Sequence, residues 1–189
     1  MEEQTKKKEK KLGSSKRGVS DMFRTLYRTH MDLSNIADNK SNIMISINGI
    51  IISIILASIS PKIDSNPWLL IPTAILLITS VISMVFAILS ARPRISSEQV
   101  TLDDVRSNKA NILFFGNYHM LSREEFVEGL EELMQDSTSL YDNLARDIYG
   151  IGKVLTKKYK LLRFSYDFLM FGLILSVIGF IIIFNYVAH

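Results

Sequence analysis

The chain contains no cysteine and only four prolines among its 189 residues. Without cysteine it has no disulfides, no thiolate metal ligands and no cysteine nucleophile. Its histidines, His30, His119 and His189, lack the paired spacing that a metal site needs, so we expect neither a metal nor a cofactor. The sequence also lacks a phosphate-binding glycine loop, a serine-hydrolase elbow and a zinc-protease motif. We therefore assign no catalytic residue and predict that the chain is not an enzyme.

Charge is missing from three long stretches of the chain. Residues 41–61, 65–91 and 168–188 contain no Asp, Glu, Lys or Arg and consist largely of Ile, Leu, Val, Phe and Met. A helix rises about 1.5 Å per residue, so about 20 residues cross a hydrocarbon core roughly 30 Å thick. The sequence therefore predicts an all-α integral membrane protein with three transmembrane helices. It further predicts long cytoplasmic helical extensions and a helical cytoplasmic insert.

Segment boundaries follow from these stretches and from the polar sequence around them. A basic tail, which we expect to be disordered, precedes a cytoplasmic helix that continues into the first transmembrane span. A cytoplasmic linker and helical region separates the second span from the third. The predicted segments are a tail at 1–19, a helix at 20–60 with its span at about 42–60, a second span at 67–91, a linker and helical region at 92–164, and a third span at 165–187.

Basic residues are distributed unevenly around the three spans. Ten Lys and Arg precede the first span and eleven lie between the second and the third, whereas only Lys62 lies between the first and the second. Lys and Arg near a span resist translocation, while Asp and Glu have little effect. We therefore predict a multi-pass membrane protein with its N-terminus and its long insert in the cytoplasm.

The insert carries two local signals. The segment NILFFGN at residues 111–117 is too apolar for a solvated loop, and we expect it to be buried or to lie against the membrane. Ser122 followed by Glu125 predicts a capping box at the start of a helix that ends near Asp136.

A longer helix with apolar residues three and four apart then runs without a break into the third span. We thus expect one continuous helix to connect the cytoplasmic insert to the third span.

Small and polar residues form one face on each predicted span. Such faces let helix backbones approach each other in lipid. Two interpretations stay open, namely packing of the three spans within one chain and a homo-oligomer that lines a pore. The amide of Asn48 favours the second, because an isolated amide is expensive in lipid. The candidate packing or pore residues are Asn42, Ser46, Asn48, Gly49, Ser53, Gly172, Ser176 and Gly179.

Three segments resemble the transmembrane Pycsar effector family of bacteria: RTHMDLSNIADNKSNIMISINGIIIS at 28–53, NILFFGN at 111–117 and RDIYGIGKVLTKKYKLLRFSYDFLMFGL at 146–173. This resemblance implies an anti-phage defence effector that senses a cyclic pyrimidine mononucleotide, cUMP or cCMP. A partner pyrimidine nucleotide cyclase makes that regulatory ligand on infection. The resemblance further implies that the effector impairs inner-membrane integrity and causes abortive infection, with no nucleic acid as a partner.

A cyclic mononucleotide presents one phosphodiester charge and one base. Its site therefore needs a guanidinium group or a helix N-terminus, together with an aromatic or amide surface. Each basic candidate also has an ordinary alternative, as a topological anchor or as the ion-pair partner of Asp38, Asp142 or Asp147. The candidate ligand-binding residues are Arg28, Asn111, Phe115, Asn117, Tyr118, Arg146, Tyr149 and Lys157.

A function of another class stays open beside this one. The acidic helix around residues 124–132 suits a constitutive membrane scaffold that recruits a cytoplasmic partner. A scaffold predicts a protein partner in pull-down experiments and no response to nucleotide.

Overall fold

The structure is a computed structural model that describes residues 2–59, 67–93, 100–107 and 110–187. None of these residues lies in a β-strand, which confirms the predicted all-α class. A 3-10 turn at Pro67–Leu69 precedes the second helix. The helices are α1 (Glu2–Ile59), α2 (Leu70–Ala91), α3 (Leu102–Arg106), α4 (Phe115–Tyr118), α5 (Arg123–Gln135) and α6 (Ser137–Val187).

Three helical segments are long and apolar enough to cross a membrane: Arg17–Ser58, Pro67–Ala91 and Ser137–Tyr186. This finding confirms the three predicted transmembrane helices. α6 has 51 residues and a length of about 77 Å, more than twice the roughly 30 Å of a hydrocarbon core. A large part of α6 must therefore lie outside the bilayer, as the predicted cytoplasmic extension requires.

Helix α1 includes residues 2–19, for which the sequence predicted a disordered tail. This segment is rich in Lys and Glu, which have high helix propensity, and contains no proline. No local signal stops the helix before the apolar span. The disorder of this tail in solution, like the other segment boundaries, stays a prediction.

The chain divides into two compact units. The first contains residues 1–33 and 93–154, and the second contains residues 34–92 and 155–189. α1 and α6 each contribute residues to both units.

The first unit has a small apolar core beside α3 and α5. Ile112, from the NILFFGN segment, is fully buried and packs with Val105 and Leu133. Leu113 and Phe114 are half-buried, so the structure shows the predicted burial for part of that segment. Gly129 on α5 lets this core close, because a Cβ there would lie only 2.6 Å from Ile112 Cδ1. In the same unit α1 packs beside α6, where the rings of Phe23 and Tyr141 stack at 5.7 Å.

The predicted capping box at the start of α5 is formed. The Ser122 hydroxyl oxygen accepts a hydrogen bond from the Glu125 backbone N–H at 3.2 Å. The Glu125 carboxylate accepts one from the Ser122 backbone N–H at 2.8 Å. Two amide donors that would lack a partner at the helix start are thus satisfied.

The second unit packs α1, α2 and α6 along seams in which buried residues are three, four or seven apart. α1 runs parallel to α6, and α2 runs antiparallel to α6. Most seam residues are small, which allows the backbones to approach closely. The seam positions are Ala37, Ser41, Met44, Asn48 and Ile55 on α1, Thr73, Ser80, Ser83, Ala87 and Ser90 on α2, and Leu162, Ser165, Leu169, Gly172 and Ser176 on α6. Pro72, next to Thr73, is buried as well.

Candidate functional site

A row of polar side chains lies inside the second unit and joins all three helices. Asn48 Nδ2 donates to the carbonyl oxygen of Met44 at 2.8 Å and to Ser83 Oγ at 2.9 Å. Ser83 Oγ in turn donates to the carbonyl oxygen of Ser165 at 2.7 Å. Hydrogen bonds of this kind between helices hold them together in lipid, where water does not compete for the polar groups.

This polar row is incompletely paired. Asn48 Oδ1 and Ser80 Oγ are buried and have no hydrogen-bond partner among the described residues. An unpaired buried polar group costs about 1–3 kcal/mol. The packed single chain therefore leaves polar groups that water or a rearranged neighbour would satisfy.

The candidate residues on α6 all lie in the seam against α2. A Cβ on Gly172 would overlap Thr79 Oγ1, and one on Gly179 would lie 3.0 Å from Pro72 Cβ. Ser176 Oγ donates to the carbonyl oxygen of Pro72 at 3.0 Å. Packing within one chain therefore uses these three candidates.

The candidates on α1 divide into two groups. Asn48 is fully buried and Gly49 is half-buried, whereas Asn42, Ser46 and Ser53 are exposed on the single chain. The two serines donate to carbonyl oxygens of their own helix, Ser46 to Asn42 and Ser53 to Gly49. The face of α1 that packs against α2 and α6 is thus displaced by about one residue from the small polar face that the sequence predicted. Asn42, Ser46 and Ser53 keep a small polar face that packing inside the chain does not use.

An ion pair links α1 and α6 at one end of the second unit. Lys158 Nζ donates to Asp38 Oδ2 at 2.7 Å, to Asp38 Oδ1 at 2.8 Å and to Ser34 Oγ at 3.1 Å. Ser90 Oγ on α2 donates to the Lys158 carbonyl oxygen at 3.0 Å. The Lys158 side chain is 13% exposed, and these bonds satisfy its ammonium group. The neighbouring candidate Lys157 is exposed instead.

In the first unit, the structure brings together two of the candidate ligand-binding residues that are separated in sequence. Asn117 Nδ2 donates to the carbonyl oxygen of Asn111 at 2.8 Å. Asn111 Oδ1 accepts from the Leu113 backbone N–H at 3.0 Å, whereas its buried Nδ2 has no partner in the described part of the chain. This arrangement leaves one amide donor oriented by the backbone and unused.

Two aromatic candidates adjoin this segment. The ring of Tyr118 lies 5.0 Å from the ring of Phe126. Phe115 belongs to α4, but its side chain lies outside the described residues.

The remaining candidates of the first unit lie on the two long helices. Arg28 is exposed on α1. Arg146 Nη2 lies 2.9 Å from Asp142 Oδ2, so the ion-pair alternative considered for Arg146 is formed. Tyr149 is 65% exposed, and Lys153 Nζ lies 4.8 Å from the centre of its ring.

Sequence reasoning missed a cluster around Arg106. Arg106 Nη2 lies 2.6 Å from both Glu128 Oε1 and Glu132 Oε1. These hydrogen bonds, with Glu132 first, hold the pKa of Arg106 above its ordinary value. The same Arg106 hydrogen bond holds the pKa of Glu132 below its ordinary value of 4.5. No local spacing indicates the cluster, since 22 and 26 residues separate its partners.

A cleft of about 150 Å³ lies beside the Arg106 cluster. This volume is below the roughly 300 Å³ at which ligand pockets usually begin. Carboxylates of its lining repel a phosphodiester, and its guanidinium is already paired. The cleft therefore does not suit a cyclic nucleotide. Its lining residues are Val105, Arg106, Gly129, Glu132, Leu133, Asp136, Ser139 and Asn143.

The family model of the Pycsar effector protein domain matches residues 21–184. Comparison with curated proteins gives no match, and comparison with solved structures gives none either. The matched range contains every candidate packing and ligand-binding residue. Because it covers most of the 189 residues, the chain belongs to the Pycsar effector family and is an anti-phage defence effector.

Proposed function

We propose that this chain is both the receptor and the membrane effector of a cyclic-nucleotide signal. It binds cUMP or cCMP made by a partner pyrimidine nucleotide cyclase, impairs the integrity of the inner membrane and causes abortive infection. The family match over residues 21–184 carries the proposal, and three helices long enough to span a bilayer support it. The chain needs no catalytic residue for this role. The charge distribution around the spans favours a cytoplasmic N-terminus, so the N-terminus and the nucleotide are in the same compartment.

The ligand site that we propose centres on Asn111 and Asn117. Asn111 contributes an unused amide donor, and both pyrimidines carry a carbonyl oxygen that accepts such a donor. Tyr118 offers an aromatic face nearby, and base stacking on such a face contributes about 1–3 kcal/mol. Arg28 supplies an exposed guanidinium group of the kind that binds a phosphodiester. Arg146 supplies a second one if it exchanges its ion pair with Asp142 for the ligand.

The proposed mechanism uses the continuity of α6. This helix carries Arg146 and Tyr149 in the first unit and continues through the transmembrane seam of the second. Ligand binding reorients α6, and the third span moves with it. A ligand shifts such an equilibrium by its difference in affinity for the two states, commonly about 1–3 kcal/mol per coupled site.

The membrane lesion that we propose forms between protomers. When α6 moves, the bonds that join Asn48, Ser83 and Ser165 break. The exposed face with Asn42, Ser46 and Ser53 then packs against another copy of the chain. The unpaired Asn48 oxygen gains a hydrogen-bond partner in the new packing or in water. Repacking of several protomers in this way forms a homo-oligomer with a water-conducting defect between them.

Two measurements on purified protein test the proposal. Thermal unfolding with cCMP, cUMP, cAMP or cGMP identifies the ligand, because a ligand that binds only the folded state raises stability. Dye release from liposomes then measures the lesion. We expect one pyrimidine nucleotide to stabilise the protein and to release dye. Protein that is saturated with nucleotide and still releases no dye contradicts the leak mechanism.

The scaffold alternative depends on the exposed acidic residues of α5. Arg106 already holds Glu128 and Glu132, and the capping box uses Glu125, which leaves Glu124 and Glu131 as the other exposed acidic residues of that helix. Phage challenge with and without the cyclase gene separates the two functions. An effector protects only with the cyclase, whereas a constitutive scaffold acts without it.

A further inference from the structure

The end of the second unit that carries the Asp38–Lys158 ion pair can be located on all three helices. Asp38 on α1 binds the Lys158 side chain, and Ser90 on α2 binds the Lys158 carbonyl oxygen. These contacts place the three residues at one level of the bundle. Residues within a few positions of them therefore lie at the same end.

Four exposed cations surround this level: Lys40, Arg92, Lys157 and Lys160. Lys40 and Arg92 each lie two positions beyond a residue that binds Lys158, and the two lysines flank Lys158 on α6. None of the four forms an ion pair with a carboxylate in the described ranges of the chain. We call these four residues the basic collar.

The collar lies where the uncharged spans begin. Lys40 is the last charge before residues 41–61, and Arg92 is the first after residues 65–91. Past the collar, the bundle exposes large apolar side chains such as Ile43, Ile47 and Ile88. Apolar side chains of this kind belong in hydrocarbon, so the cations stand at the depth of lipid headgroups.

We propose that the basic collar binds the headgroups of anionic phospholipids. Ammonium and guanidinium groups form charge-assisted hydrogen bonds to phosphodiester oxygens, and within the described ranges no carboxylate pairs with the exposed collar. Lys158 takes no part, because Asp38 and Ser34 already occupy its donors. Under this inference Lys157 contacts lipid. The inference concerns a lipid partner and does not rest on nucleotide sensing.

The test measures lipid preference without nucleotide. Full-length protein in detergent is mixed with phosphatidylglycerol or with phosphatidylcholine, and native mass spectrometry counts the bound lipids. Each neutralised cation weakens binding to an anionic surface about fivefold. We therefore expect the variant with Lys40→Gln, Arg92→Gln, Lys157→Gln and Lys160→Gln to lose the preference for phosphatidylglycerol. The control replaces four exposed cations of the first unit, Arg17→Gln, Arg24→Gln, Lys153→Gln and Arg123→Gln, and should keep it.

Two further measurements test the inference if the glutamine variant does not fold. Replacing the three collar lysines with arginine retains the charge and should retain the preference. For the natural chain, the preference should fall as salt rises, because exposed charges are screened. Equal lipid preference in the collar and control variants would overturn the inference. Displacement of phosphatidylglycerol by inorganic phosphate or cUMP at equal concentration would also overturn it, since the collar would then be a soluble-anion site.

Discussion

Lys158 donates to both carboxylate oxygens of Asp38, at 2.7 and 2.8 Å, across the interface between α6 and α1. The lysine is largely buried, whereas the aspartate is about one-third exposed. Their pairing holds two parallel helices in register at one end of the transmembrane bundle.

Asp38→Ala should destabilise the protein, because it leaves the largely buried Lys158 ammonium without its carboxylate. Breaking a buried pair costs several kcal/mol and an exposed pair less than 1, so we expect about 1–3 kcal/mol here. Thermal unfolding in detergent measures the change. The double variant Asp38→Lys with Lys158→Asp restores opposite charges and should recover part of the loss. Full stability of the single variant would show that the pair contributes nothing.

Asn48→Leu should stabilise the resting bundle. It replaces the unpaired Oδ1 with a methyl group on a side chain of the same branching, while Ser83 keeps its bond to the carbonyl of Ser165. We expect a gain of about 1 kcal/mol and a higher nucleotide concentration for dye release. Asn42→Leu, on the exposed face of the same helix, serves as the control and should leave unfolding unchanged. A clear loss of stability in Asn48→Leu would mean that its bond to Ser83 outweighs the unpaired oxygen.

Gly172→Ala should destabilise the protein, because the added Cβ would overlap Thr79 on α2. Overpacking of this kind costs about 1–3 kcal/mol. Gly150→Ala on the same helix is the matched control, since a Cβ there meets no atom within 4 Å. The control should gain about 0.5–1 kcal/mol from its higher helix propensity. Thermal unfolding of the two variants should therefore shift in opposite directions, and a shift in the same direction would contradict the close packing of α6 on α2.

Glu132→Gln should reduce stability at neutral pH but not at acidic pH. Arg106 lowers the pKa of Glu132 in the folded state below its ordinary value of 4.5. The ionised carboxylate therefore stabilises the fold fully above that ordinary value, and the contribution is lost as the pH falls through the lowered pKa. The difference in unfolding temperature between natural chain and variant should shrink on acidification. Glu131→Gln, on the exposed side of α5, should show no such convergence.

Asn111→Asp should abolish stabilisation by the pyrimidine nucleotide. The substitution keeps an oxygen that accepts from Leu113 N–H but replaces the unused Nδ2 donor with a negative oxygen, which repels the carbonyl oxygen of the base. We expect nucleotide affinity to fall at least about tenfold, which corresponds to about 1.4 kcal/mol. Asn39→Asp, on the exposed surface of α1, carries the same charge change and should respond normally. Thermal unfolding with and without nucleotide compares the two variants, and an unchanged response in Asn111→Asp would place the ligand elsewhere.

Much of the fold could be predicted from sequence because its signals are local. The uncharged stretches indicated the three transmembrane helices, and Ser122 with Glu125 indicated the capping box that starts α5. The α1 packing face was read from small polar residues alone. The seam also includes the apolar Met44 and Ile55, so it lies about one residue from the predicted stripe.

The side-chain contacts of the first unit were less accessible to sequence reasoning, because some join residues distant in the chain and others depend on the path of a short turn. The Arg106 cluster joins α3 to α5 across 22 to 26 residues, and no motif indicates that pairing. The contact between Asn111 and Asn117 depends on how one short segment turns. The sequence indicated the residue types but not which of their donors are already in use.

The small residues of the transmembrane seams limit how this protein can diverge. At Ser80, Ala87 or Gly172, side-chain size is constrained, since any larger residue separates two backbones. On the lipid-facing side, Ile43, Ile50 or Ile88 can exchange with other aliphatic residues at little cost, because hydrocarbon accepts any of them. Amino-acid substitutions among related chains should therefore concentrate on the surface that contacts lipid, while the interior keeps a fixed spacing of small residues.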